Sequence, residues 1–375
     1  MRYLAVLGRQ PDISYAELRA QFKNVQMLGP SLAIFESNNI PEINRLGGSL
    51  KLARELGQEP LAFLSNLPDG KITLGVSDYS RRASIRTATQ AAIKLKKSLA
   101  KIGRSVRTLP NKSTTISTAA ALHNGLGKKK NHIELIIVDQ VNYLVIGVQD
   151  IDAYAARDQA RPARDAKVGM LPPKLAQILI NLCGPLKSNA TVLDPFCGTG
   201  VVLQEALLMD YHAYGTDKSE RMVEYTKRNL QALSGLRLSS SSSRVNGACK
   251  TFVADATNAQ WQQPIDAVAC ETYLGPPMSL PPAEIKLKEA KQECQNIILG
   301  FLKNLASQLK TGTPVTIAVP AWLRPDRSYS RLNILDEITN LGYNVVKYSN
   351  SGDGSLLYHR EGQVVAREII VLRKK

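Results

Sequence analysis

One segment narrows the choice of fold more than any other: Asp194-Pro195-Phe196-Cys197-Gly198-Thr199-Gly200. It follows the strand-like run Thr191-Val192-Leu193 and opens a helical stretch over 201–209. Gly198 and Gly200 let the backbone turn sharply and approach a ligand without a Cβ clash. The helix beyond offers free N–H groups to a carboxylate or phosphate. The pattern on either side is strictly alternating. Strands are expected over 213–216, 251–253, 265–269, 315–319, 344–348 and 364–372. Helices are expected over 174–182, 221–233, 284–309 and 332–341. Such alternation predicts a parallel, doubly wound sheet whose last strands form an antiparallel edge hairpin. Ligands of such sheets bind beyond the carboxyl ends of the strands.

Two acids choose among ligands. Asp217 ends the second strand, where a carboxylate accepts both hydroxyls of a ribose. Asp255, followed by Ala256, ends the third and is placed to accept from an exocyclic adenine amine. A ribose, an adenine and an anionic group at a helix N-terminus describe an adenosine nucleoside with a carboxylate tail, as in S-adenosylmethionine. A dinucleotide fits less well, because the third glycine of GxGxxG is missing.

The rest of the chain points to a polyanion. The 375 residues suggest two or three domains at about 150 residues each. They carry 48 basic and 32 acidic side chains, a net charge of +16. No acid occurs between Asp78 and Glu134, an interval with thirteen Lys or Arg. A solvated helix mixes signs. An acid-free stretch of this length is the mark of a phosphate-facing surface, with Arg81, Arg82, Arg86, Lys96, Lys97, Arg104, Arg107, Lys128, Lys129 and Lys130 as candidate contacts. A merely basic exterior is the plainer alternative. Residues 1–150 read as small α+β units. Strands are expected over 3–7, 31–36, 71–76, 134–139 and 143–148. Helices are expected over 14–22 (Ser14 as N-cap, Glu17 completing a capping box), 43–56 and 87–102. Residues 151–173 read as a charged, proline-broken linker, and Ser239–Ser243 as a loop. The five cysteines show no CxxC pair and the four histidines are dispersed, so neither disulfides nor a metal site is expected. No run reaches the roughly 18 apolar residues of a membrane span. The start is too short in apolar residues for a signal peptide, so a cytoplasmic location is expected.

These residues carry a resemblance. Asp194–Gly200 resembles motif I of the class I S-adenosylmethionine-dependent methyltransferases. Its DPFCGTG form resembles the branch that methylates guanosine N2 in tRNA behind a THUMP domain. Arg161-Pro162 and the stretch from Lys167 to Ala176 resemble that family's entry into its first helix. The resemblance implies a Rossmann-like C-terminal domain over 174–375. Ahead of it would lie a basic ferredoxin-like segment (1–65), a THUMP-like RNA-binding domain (66–150) and the linker 151–173. It implies cofactor binding through Asp194, Pro195, Phe196, Cys197, Gly198, Gly200, Asp217, Asp255 and Ala256, and it suggests position ten of tRNA as the target.

In that family an Asp or Asn, two prolines and an aromatic follow the fourth strand. Here the sequence reads Cys270-Glu271-Thr272-Tyr273-Leu274-Gly275-Pro276-Pro277. Glu271 takes the place of the acid, Tyr273 stands near the aromatic, and the backbone carbonyls of 271–273 are further acceptors. The departure is real: glutamate is one methylene longer, and Thr272 lacks proline's rigidity. Tyr273 also reads as an ordinary core aromatic, and Phe196 as packing. Two other functions stay open. A DNA amino-methyltransferase would share the loop, although many carry it after the acceptor motif, whereas Asp194 precedes Glu271. A non-catalytic RNA-binding protein would retain the pocket alone. The expected partner is tRNA. The sequence is compatible with a monomer or weak dimer and with a small activating subunit.

Overall fold

The structure is a computed structural model that describes residues 1–165, 170–235, 247–262, 264–348 and 356–375. The Lys167–Gly169 part of the linker and the Ser239–Ser243 loop lie outside the described residues. The chain divides into two compact units. One comprises Met1–Pro11 and Phe22–Asp152, the other Asp12–Gln21 and Ala153–Lys375.

The first elements are β1 (Arg2–Leu7), α1 (Pro11–Gln21), β2 (Lys23–Met27), β3 (Leu32–Glu36), a 3-10 turn at Ile43–Arg45, β4 (Ser49–Glu55), α2 (Pro60–Ser65), β5 (Ile72–Asp78), α3 (Ile85–Lys101), β6 (Val106–Thr108), α4 (Thr118–His123), β7 (His132–Val138) and β8 (Val141–Val148). The strands make one eight-stranded sheet in the order β2-β3-β1-β4-β8-β7-β5-β6. This sheet runs through both segments read separately as 1–65 and 66–150. Pairing is antiparallel from β2 to β7 and parallel from β7 through β5 to β6.

Two local expectations are corrected here. Residues 43–56 are not a helix. Gly47-Gly48 would cost about 1 kcal/mol each inside one, and β4 is instead captured between β1 and β8, with Leu52 and Ala53 both buried. Ser14 is not an N-cap. The helix begins at Pro11, where a missing N–H costs nothing, and Glu17 is buried, accepting from Asn181 Nδ2 at 2.7 Å.

Charge is also buried inside the eight-stranded sheet. Lys51 on β4 is 1% exposed and Glu134 on β7 is fully buried, and the two form an ion pair. Ser77 on β5 donates to the same carboxylate oxygen at 2.6 Å, and Ile116 donates its N–H to Ser77 at 2.9 Å. Lys51 also donates to the Ile116 carbonyl at 2.6 Å. Three strands and the segment before α4 are tied at one point.

The second unit continues with α5 (Ile151–Gln159, entering this unit at Ala153), α6 (Pro173–Leu182), β9 (Thr191–Asp194), α7 (Val201–Leu208), β10 (His212–Asp217), α8 (Glu220–Gly235), β11 (Cys249–Val253), β12 (Ala267–Glu271), α9 (Glu284–Ala306), β13 (Pro314–Leu323), β14 (Tyr329–Ser330), α10 (Leu335–Asn340), β15 (Tyr343–Val346), β16 (Leu356–Tyr358) and β17 (Val365–Lys374). The head of the expected linker is therefore helical. Arg157 on α5 makes a two-pronged bond to the buried Glu205 on α7, at 2.8 and 3.2 Å, and the Tyr154 hydroxyl bonds Gln177.

The main sheet runs β11-β10-β9-β12-β13-β17-β15, with β14 on β13 and β16 on β17. It is parallel from β11 to β13, and β17 is antiparallel to both neighbours, which is the edge arrangement expected from the sequence. Helices cover both faces. On β12, Ala267 and Ala269 face a core built with α1, α6 and α7, while Val268 and Cys270 face one built with α9. That alternation follows from the two-residue repeat of a strand buried on both sides. The chain winds outward from β9 through β10 to β11, then returns to place β12 on the other side of β9. A crevice forms at such a reversal, at the carboxyl ends of the strands.

Candidate active site

The crevice is a cavity of about 600 Å³, ordinary for a small-molecule site. Asp194 closes β9, Asp217 closes β10 and Glu271 closes β12, and Asp255 follows β11 by two residues. All four line the cavity. Among the described residues only Lys218 and Arg367 oppose them in the lining, so the described wall is formally acidic in a chain of net charge +16.

The glycine loop is held from behind by α8. Gly198 and Gly200 have φ of +52° and +86°. A Cβ on Gly200 would meet Thr226 Cγ2 at 2.9 Å, so the close approach requires glycine. Thr226 donates to the Gly198 carbonyl at 2.8 Å, and Asn229 Nδ2 donates to the Thr199 carbonyl at 2.9 Å. Asn229 also exchanges two bonds with the backbone of Ala163. Cys197 is buried and donates its N–H to the Thr216 carbonyl, and the Pro195 carbonyl accepts from Thr216 Oγ1 at 3.4 Å. Phe196 lines the cavity and packs edge-on against Phe301, 5.1 Å between centroids, so it both packs and faces the crevice.

The acids differ in their surroundings. Asp194 is buried and accepts from the Phe196 N–H at 3.1 Å. Burial raises its carboxyl well above the usual range, and Asp217 and Glu271 add to the rise. Asp217 accepts from the Gly198 N–H at 3.0 Å and the Ser219 N–H at 2.9 Å, one on each oxygen. Each oxygen keeps a second lone pair for a ligand. Asp255 is exposed, and Oδ1 takes both the N–H and the hydroxyl of Thr257. These bonds hold its carboxyl below the usual range, with Lys218 adding to them. Ala256 is buried and its carbonyl accepts from Asn304.

At the end of β12, Glu271 Oε1 accepts from Arg367 Nε at 2.8 Å. Burial raises the Glu271 carboxyl against the opposing pull of Arg367. Thr272 is buried, and both its N–H and its hydroxyl donate to the Ala318 carbonyl at 3.0 Å, which leaves it acceptors but no donor to offer a ligand. Tyr273 is half-buried, its ring 5.8 Å from Lys218 Nζ. Burial and its bond to Glu293 push its hydroxyl up to about 12.

The sequence missed several lining residues. Lys218 directly follows Asp217 and was legible by that adjacency. Arg367 and Gln363 reach the cavity from the far end of the chain, and no local pattern marks them. Met170 and Leu171, in the expected linker, also line it.

In the first unit Arg81, Arg82, Arg86, Lys96, Lys97, Arg107, Lys128, Lys129 and Lys130 are all exposed. α3 carries Arg86, Lys96 and Lys97, and its apolar face buries Ala88, Ala92 and Leu99. Arg104 differs. It is half-buried and donates to the Asp69 carboxylate at 3.2 Å and the Pro68 carbonyl at 2.8 Å, fastening a turn.

Known proteins are similar to parts of this chain. The chain is 32% identical over 168 residues to a tRNA (guanine(10)-N2)-dimethyltransferase of Methanothermobacter thermautotrophicus, covering 44% of each chain. It is 46% identical over 61 residues to the enzyme of the same description from Pyrococcus abyssi, covering 16% of this chain and 18% of that one. The matches thus span less than half the length of these relatives. The crystal structure of TrmN from Thermus thermophilus is similar over the whole of both chains at 18% identity, with a TM-score of 0.49. Residues 161–271, from the middle of the expected linker to the carboxylate that closes β12, match the family described as RMKL-like, methyltransferase domain.

Proposed function

We propose that the chain transfers a methyl group from S-adenosylmethionine to the exocyclic N2 of a guanosine in tRNA. The observation that carries this reading is the convergence of Asp217 and Glu271 on one acidic cavity behind a glycine loop, in a strongly basic chain. A formally negative wall suits a cofactor that bears a sulfonium and an ammonium. The family match over 161–271 and the printed descriptions of the relatives support the same chemistry, and those descriptions suggest position ten as the target.

When bound, S-adenosylmethionine supplies a methyl carbon whose bond to sulfur breaks, with its electron pair, as the lone pair of the guanine nitrogen forms the new C–N bond. The residues of the chain do the rest. Asp217 accepts the ribose hydroxyls with the lone pairs that Gly198 and Ser219 leave free. Asp255 Oδ2 accepts from the adenine amine. Glu271 Oε2 accepts from the guanine NH₂, turns the nitrogen lone pair toward the methyl and takes the surplus proton. Tyr273 packs against the base, which has left its stack. The exposed cations of the first unit hold tRNA phosphates.

The test supplies methyl-labelled cofactor with total tRNA or with DNA and identifies the labelled nucleoside. Label in N2-methylguanosine or its dimethyl form, from tRNA alone, is expected. Label in DNA, or cofactor binding with no transfer, would overturn the reading.

A further inference from the structure

We propose that Arg367 is a positioning residue, fixing the Glu271 carboxylate so that one oxygen is anchored and the other is presented to the acceptor amine. This inference rests on the function proposed above.

Sheet register brings the two residues together. Glu271 on β12 stands opposite Ala318 on β13, and Arg367 on β17 stands opposite Pro320. Residues directly opposite share a face, as do residues two apart on one strand. Glu271 and Arg367 therefore project from the same face with one strand, carrying only Ala318 and Pro320, between them. Neighbouring strands are about 4.8 Å apart, so the two side chains must bridge roughly twice that, on a diagonal. A long carboxylate and a long cation meet here, Nε to Oε1 at 2.8 Å. An aspartate at 271 would fall one methylene short. The glutamate that departs from the expected acceptor motif is thus matched in length to an arginine two strands away.

The guanidinium is itself held. Arg367 is 4% exposed, and Nη1 donates to Gln363 Oε1 at 3.1 Å and toward the Val365 carbonyl at 3.4 Å. Glu271 Oε2 takes no bond from the described residues, and Glu271 lines the cavity. The planar guanidinium, held at Nη1, aims its Nε–H at one oxygen and so fixes where Oε1 lies, which supplies rigidity that Thr272 lacks.

The test uses the full-length chain and tRNA. Wild-type transfer comes first, and its absence would sink the functional reading rather than this inference. Given transfer, Arg367→Met should lower kcat by about 10²-fold, the order expected for a misplaced reacting group. KM for tRNA and calorimetric affinity for S-adenosylmethionine should stay near wild type. The groups whose charges act on Glu271 are Asp194 from β9 and Arg360 and Arg367 from the β17 side, while Cys270, its neighbour in β12, points to the opposite face. Removing Arg367 takes away the strongest cation, so the acid limb of the kcat profile should move to higher pH. Arg367→Lys should keep the limb in place while kcat stays depressed, because an ammonium lacks the fork. In a Glu271→Gln background, Arg367→Met should cost nothing further. If Arg367→Met alone does not fold, the double variant removes the uncompensated charge, and its kcat should equal that of Glu271→Gln. Wild-type kcat in Arg367→Met or Arg367→Lys, or an undiminished loss in the Glu271→Gln background, would overturn the proposal.

Discussion

Asp217 bonds two backbone amides and lines the cavity with both oxygens still able to accept. Replacing it with alanine removes the acceptor proposed for the ribose and leaves two hydroxyls unmatched, a penalty of about 1–3 kcal/mol. Calorimetry on Asp217→Ala should therefore show S-adenosylmethionine binding weakened by roughly 5- to 150-fold, with circular dichroism unchanged. Unaltered affinity would mean that the ribose lies elsewhere. The acids at the ends of β9 and β10 were legible in the sequence because each closes a strand and the glycine loop locates the first. Arg367 was not. Its partner is 96 residues away, and only sheet register across β13 brings the two together.

The elements show where local propensity loses. Residues 43–56 carry enough apolar side chains to suggest a helix, yet Gly47-Gly48 interrupts it and a central slot between β1 and β8 takes the rest as strand. Lys51 in that strand reads as a surface residue and is buried against Glu134. No spacing rule links β4 to β7. Lys51→Met should leave an uncompensated carboxylate inside the sheet and lower unfolding free energy by about 3–5 kcal/mol. Combining it with Glu134→Leu should recover most of that loss, since neither charge then remains. Denaturant titration of the three proteins decides it. An equally large loss in the double variant would mean that packing, not charge, sets the effect. The alternating elements of the second unit were legible because parallel strands buried on both faces are separated by helices of clear period. α5 was hidden because its charges, Arg157 among them, imitate a linker until Glu205 is placed opposite.

At the scale of the whole molecule, charge is divided by role. The chain is net +16, yet its cavity wall is acidic. No acid falls in the sequence between Asp78 and Glu134, where the exposed cations of the first unit lie. Affinity for tRNA should fall steeply with salt, because each neutralised phosphate releases counterion. Reversing Lys128, Lys129 and Lys130 to Glu should weaken tRNA binding and flatten that salt slope while leaving S-adenosylmethionine affinity alone. Filter binding across a salt series reads both effects, and a slope equal to wild type would remove this loop from the interface.

In the proposed reaction the carboxylate closing β12, Glu271, serves the acceptor amine. Its loss should tell in the transition state, when the nitrogen turns cationic and its hydrogens become more acidic. Glu271→Gln keeps size and one acceptor oxygen but removes the charge. Steady-state methyl transfer to tRNA by this variant is the direct measurement. In Glu271→Gln, kcat should fall by about 10²-fold with KM and cofactor affinity little changed. Transfer at the wild-type rate would contradict it.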